Sequence, residues 1–202
     1  GLKLSKLPQN ISLVVKYGNI VSSLIAFASD SQIDHIVMGS RDKYTLFNSW
    51  IGTVSLNLIK QAKQTITLVP RYSKFKPYEN VLVASDQSLK SKSISNKILD
   101  WNRKYKAYIK FIHVTNKDKS FFEETTTLVD TIFENSNPEF GFEISLLMSD
   151  DIVESLLATA YNHGDDLLIS MPSNETYLHT LLFKSISKEL LTKSQIPVLF
   201  LR

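Results

Sequence analysis

Gly39, Asp42, Gly52, Thr53 and Ser55 are the residues whose types and spacing could do chemistry. They fit G-x2-G-x9-G-[S/T] with one exception, Asp42 in place of the second glycine. Glycine lets a backbone come close to a phosphate, and free N–H groups at a loop and helix start supply the donors. Thr53 and Ser55 add hydroxyls at the start of the helix that follows. Asp42 tolerates the left-handed backbone region that such a loop needs. Its carboxylate, however, repels a polyphosphate. Gly39 and Gly52 read either as this phosphate loop or as plain turn glycines.

Other candidates carry less. Asp86, in the turn Ser85-Asp86-Gln87-Ser88, could hold a ribose or simply bond the backbone of Ser88. His113 near a strand end reads as a structural histidine. His35, His163 and His179 have no ligand-spaced cysteine or carboxylate, so no metal site is expected. Asp150-Asp151 reads as a helix N-cap, and Asp165-Asp166 leads into a buried strand. Lys184 and Lys188 suit a solvated helix face. No G-x-S-x-G nucleophile elbow occurs.

Composition narrows the classes. A net charge of +3 with scattered lysines implies no nucleic-acid surface. With 43% hydrophobic and 21% charged residues, the chain has an ordinary globular balance. Absence of cysteine removes disulfide and thiol chemistry and fits a reducing compartment. No apolar run approaches the roughly 18 residues of a membrane span, and no signal-type start is seen. A cytoplasmic setting is the expectation, with no membrane partner.

The elements that must position these residues alternate. Strands are predicted at Ile11–Lys16, 35–38, Thr65–Val69, Asn80–Ala84, Tyr108–Val114, Phe142–Met148, 167–170 and 197–201. Between them lie a helix capped by Asn19 and helices at 51–62, about 90–105, about 119–135, 151–162 and 183–193. Residues 71–77, basic and ending in proline, read as a linker. Such alternation makes an α/β fold with a parallel sheet and right-handed crossovers.

Sliding the chain on itself by 132 residues exposes a repeat. Ile20, Val21, Ser23, Leu24, Ala26 and Ala28 fall on identical residues at Ile152, Val153, Ser155, Leu156, Ala158 and Ala160. Asp34, Leu46, Ser55 and Leu58 fall on Asp166, Leu178, Ser187 and Leu190 without a gap. Residue 1 corresponds to residue 133, whereas the second copy begins near Glu79, so about 54 residues of the second copy have no counterpart. Residues 1–70 are thus a C-terminal half, and 78–202 a complete unit.

The glycine-spaced loop after IVMGSR, the segment VLVASDQS at 81–88, IHV at 112–114 and IPVLFLR at the end together resemble the universal stress protein family. That resemblance implies a five-stranded parallel open sheet in the order 3-2-1-4-5, with helices on both faces, plus a half copy of the same unit. It implies adenosine contacts at Asp86 and Val114, and phosphate contacts at Gly39, Gly52, Thr53 and Ser55. In the second copy Met171, Asn174 and Lys184 replace the three loop positions, and only Ser185 and Ser187 are left of the phosphate contacts. The expectation is therefore a non-catalytic stress-response binding or regulatory protein with a degenerate nucleotide site and no tightly bound cofactor. Two alternatives stand beside it. ATP could bind the first loop when that domain is complete, or the chain could be an adenine-nucleotide hydrolase-like enzyme. The resemblance also implies antiparallel main-chain pairing of the last strands, Thr65–Val69 and Pro197–Leu201, within one chain or between chains. A homo-oligomer or a complementing N-terminal fragment would then cover the half copy.

Overall fold

The structure, a computed structural model, describes residues 10–39, 53–71, 73–85, 92–115, 123, 126–127, 130, 139–171, 186–190 and 192–202. Seven strands are described: β1 (His35–Gly39), β2 (Thr65–Val69), β3 (Asn80–Ser85), β4 (Tyr108–Thr115), β5 (Phe142–Met148), β6 (Leu167–Ser170) and β7 (Val198–Phe200). The helices are α1 (Ile20–Asp30), α2 (Thr53–Gln61), α3 (Lys92–Tyr105) and α4 (Ile152–His163). Residues 186–190 and 192–193 are helical as well. The helix predicted at 119–135 falls largely outside the described residues.

All the strands join one sheet in the order β1-β2-β7-β6-β3-β4-β5. From β3 to β7 every pairing is parallel, and the spatial order of those five strands is the third, second, first, fourth and fifth of the second copy. This is the architecture that alternation and the family resemblance imply. β1 and β2 also pair in parallel, as the fourth and fifth strands of the first copy. The two copies then meet head to head. Ile66, Thr67 and Leu68 of β2 pair antiparallel with Phe200, Leu199 and Val198 of β7, within one chain.

Strand alternation sorts the core onto two faces. On one, Leu82, Ile112, Leu168, Val198, Phe200, Ile66 and Leu68 meet α1, α2 and α4 through Val21, Leu58, Ile59, Val153, Leu156 and Leu157. On the other, Val81, Val83, Ile109, Phe111, Leu167, Ile169 and Leu199 meet Ile98 and Leu99 of α3. β3, β6 and β7 are apolar at nearly every position because both their sides are covered. Each fully buried leucine or isoleucine in these layers contributes about 1.5–3 kcal/mol relative to exposure.

Local chemistry sets the helix ends. Asn19 accepts a hydrogen bond from the Ser22 N–H at 3.2 Å, which caps α1 as expected. Asp151 does the same for α4, accepting from the Glu154 N–H at 2.9 Å. α4 stops at Gly164, whose φ of 68° places it in the left-handed region that glycine enters without strain. After α3, the buried Asn102 amide donates to the Ala107 carbonyl at 2.9 Å and accepts from the Ala107 N–H at 3.0 Å. That clasp turns the chain from α3 into β4.

One element is corrected. Residues 11–16, predicted as a strand, form none, and Ile11, Leu13, Val14 and Val15 are exposed. Their repeat counterparts lie in β5, which is hydrogen-bonded to β4. Residues 1–70 contain no counterpart of β4, so the segment has no ladder to join and a strand's backbone groups would go unpaired. β propensity alone does not hold a strand.

Candidate functional site

In an open parallel sheet a ligand crevice forms at the C-terminal ends of the strands, where the order reverses. In the second copy that point lies between β3 and β6. Ser85 ends β3 beside His113 of β4, and the His113 Nδ1 lies 2.9 Å from the Ser85 carbonyl oxygen. Both residues are buried. Val114, one residue on, is also buried and joins the core layer of Leu82 and Ile112. His113 is thus tied into the rim as a structural residue, in keeping with its sequence context.

At the end of β6, Met171 stands where the first copy has Gly39. Its side chain is buried against the layer that holds Val81, Val83 and Ile169. A thioether anchored there sits at the position where glycine would let a phosphate loop begin its close approach. Ser187, in the helical segment after β6, is 1% exposed, and its hydroxyl has no hydrogen-bond partner among the described residues. A buried hydroxyl left unpaired costs about 1–3 kcal/mol. It is the hydroxyl to which the resemblance gives a phosphate contact.

The first-copy group lies elsewhere. Gly39 ends β1, is exposed, and a Cβ added to it would meet no atom of the described residues within 4 Å. Thr53 opens α2, and Ser55 sits half-buried in its first turn. Because β2 pairs antiparallel with β7, the C-terminal ends of β1 and β2 point to the opposite rim from those of β3, β4 and β6. Gly39, Thr53 and Ser55 therefore share one rim, and Ser85 and Val114 occupy the other. Gly52, Asp86 and Ser185 lie outside the described residues, as do Asp42, Asn174 and Lys184.

Two polar pairs escaped the sequence reading. Lys110 of β4 donates to the Asp165 carboxylate at 2.9 Å, with both side chains nearly inaccessible. Burial pushes the Asp165 carboxyl above its ordinary value, and this outweighs the lowering by the Lys110 ammonium. The signal was a lysine inside the otherwise apolar run YIKFIHV, because a charge in a doubly covered strand needs a partner. The second pair joins His35 Nε2 to Thr67 Oγ1 at 2.7 Å across β1 and β2. Burial, then the nearby Lys104 charge, holds the imidazole below its ordinary pKa. Neither pair lies in the β3–β6 crevice. Among the described residues, no three His, Asp or Glu side chains gather as a metal site would require, and no helix is long and apolar enough to cross a membrane.

Residues 3–70 match the model of the universal stress protein family. The fold is similar to that of a universal stress protein from Archaeoglobus fulgidus DSM 4304, with a TM-score of 0.68 and 18% identity over 90% of this chain. The chain spans 64% of the length of that relative. A candidate universal stress protein from Pseudomonas aeruginosa UCBPP-PA14 matches with a TM-score of 0.63 and 13% identity, over 92% of this chain and 69% of its own. No curated protein matches the sequence. Residues 3–70 match the universal stress protein family model, and the chain as a whole has an α/β fold similar to that of these structures.

Proposed function

We propose that residues 1–202 act without catalysis, as a stress-response binding and regulatory module of the universal stress protein type with a degenerate nucleotide site. One observation carries this reading. The antiparallel β2–β7 junction sets the glycine-bearing β1 and the Ser85–Val114 rim at opposite ends of the sheet. Adenosine contacts and phosphate contacts of one pocket must lie within a single copy. The first copy has the phosphate half, and the second has the adenosine half with Met171 in the glycine position. Of the described histidines, His113 is engaged with the Ser85 carbonyl and His35 with the Thr67 hydroxyl. The setting we propose for this module is the cytoplasm.

A second reading rests on Gly39. Among the described residues no atom comes within 4 Å of a Cβ built on Gly39, which leaves room there for a phosphate at the end of β1. ATP would bind there once a strand carrying an adenosine-binding turn lay beside β1. Asp42 would weaken that site by repulsion.

Incubating the chain with ATP and magnesium, then separating the nucleotides, tests the non-catalytic assignment. The expected result is ATP recovered intact, at the level of a protein-free control. Release of ADP or AMP in proportion to protein would overturn it.

A further inference from the structure

Two stretches far apart in the sequence share an unusual make-up. Residues 71–79 read RYSKFKPYE, and residues 100–108 read DWNRKYKAY. Together they hold six cations against two carboxylates, and six aromatic residues in 18 positions. The whole chain is 10% aromatic with a net charge of +3, so outside these stretches its charge balance is slightly acidic. The average charge implies no nucleic-acid surface, but the fold creates a local one by gathering the two stretches.

They meet on one rim of the sheet. β3 and β4 begin side by side, with Asn80 opposite Tyr108 and the Tyr108 N–H donating to the Glu79 carbonyl at 2.8 Å. Because β2 runs antiparallel to β7, it ends on the rim where β3 begins, and residues 70–79 join the two without crossing the sheet. The C-terminal end of α3 arrives at the same place. Ring centroids of Trp101 and Tyr105 are 4.6 Å apart, and that of Tyr78 lies 5.2 Å from Tyr105 and 6.0 Å from Trp101. All three rings are half-buried, with Tyr78 and Trp101 anchored on the layer of Val81 and Ile98. Around them Lys74, Lys76, Arg103, Lys104 and Lys106 are exposed, and Phe75 is 89% exposed. The Lys104 Nζ lies 5.6 Å from the Tyr105 ring centroid. Lys76, Arg103 and Lys106 meet Asp166, Asp100 and Glu139. All three cations are more than half exposed, and such pairs are too weak to withhold them from phosphate.

We propose that this rim binds single-stranded nucleic acid. The strand's phosphates pair with Lys74, Lys76, Lys104 and their cationic neighbours. Its bases stack on Phe75 and on the open parts of the Tyr78–Trp101–Tyr105 cluster, which any base can do because every base has a π-face. A duplex keeps its bases stacked on one another and leaves the rings unused. Neither stretch contains Leu, Ile, Val or Met, so beyond Phe75 the rim has no aliphatic face to sink into a lipid surface. The rim lies opposite the one that holds Ser85 and Val114, and its binding does not depend on whether a nucleotide pocket is complete.

Titrating residues 1–202 carrying Trp50→Phe with an oligouridylate of about 12 nucleotides tests this, because Trp101 is then the only tryptophan. Its emission should be quenched saturably, with a dissociation constant of about 1–100 μM. Log affinity should fall against log salt with a slope of about −2 to −3, as three or four phosphates are neutralised. Phe75→Ala should weaken binding by about 5-fold or more through lost stacking. Lys74→Gln with Lys104→Gln should weaken it roughly 10-fold and flatten the salt slope by about 1. These side chains are exposed, so the melting temperature should stay within about 2 °C of the parent, which separates a lost contact from a lost fold. No saturable quenching in the chain with only Trp50→Phe would overturn the proposal. So would binding that the variants leave unchanged, or inorganic polyphosphate binding as tightly as the oligonucleotide, since the rings would then contribute nothing. Binding to phosphatidylserine vesicles in place of the oligonucleotide would assign the rim to a membrane and overturn it equally.

Discussion

Phe200→Ala is expected to destabilise the chain by about 3–5 kcal/mol. Phe200 is fully buried in β7, where it pairs with Ile66 of the first copy on one side and Ser170 of the second on the other. Truncation leaves a cavity bordered by both copies. In a chain of this length such a loss lowers the melting temperature by roughly 10 °C or more. The position also tests cooperativity. If the antiparallel junction makes one core, circular dichroism and the fluorescence of Trp101, read in a Trp50→Phe background, should shift together in urea, in a single transition. A change confined to one probe would show that the copies unfold separately.

The second large effect belongs to the buried Lys110–Asp165 pair. Asp165→Leu alone strands an ammonium in the interior, and Lys110→Met alone strands a carboxylate. Each is expected to cost about 3–5 kcal/mol. Replacing both at once should be neutral or stabilising by about 1–4 kcal/mol, because neither desolvation penalty then remains. The pH dependence has a definite sign. The folded-state pKa of Asp165 is raised by burial, so its contribution is full below the ordinary carboxylate pKa. It is lost as pH rises through the raised value. The advantage of the double variant should therefore grow from acid to neutral pH in urea unfolding. An advantage that shrinks with pH would contradict the raised pKa.

Much of the fold was legible because it depends on patterns along the chain. β–α alternation gives the α/β class with its mostly parallel sheet, and the apolar runs at 81–84, 109–114 and 167–169 mark strands covered on both faces. The caps at Asn19 and Asp151 follow from side-chain chemistry local to one turn. Failure came where structure depends on a neighbour. ISLVVK has every local property of a strand, yet it forms none because pairing is a property of two segments. The Lys110–Asp165 contact, 55 positions apart, was out of reach for a similar reason. Its lysine was conspicuous in an apolar run, but the partner is set by how β4 and the start of β6 lie in the sheet. At the candidate site, residue types and their division between the two copies were legible, and the placing of the two groups on opposite rims was not. The repeat places Gly39 with Met171 in register, whereas the direction of β2 against β7 separates the glycine rim from the Ser85–Val114 rim.

The central claim is that residues 1–202 hold no complete nucleotide pocket, and isothermal titration calorimetry with ATP tests it most directly. Losing two or three charge-assisted phosphate contacts, each worth about 1.5–3 kcal/mol, weakens a micromolar site by several orders of magnitude. The account predicts no saturable binding at micromolar ATP. A dissociation constant below about 10 μM, equivalent to about −7 kcal/mol, would contradict it.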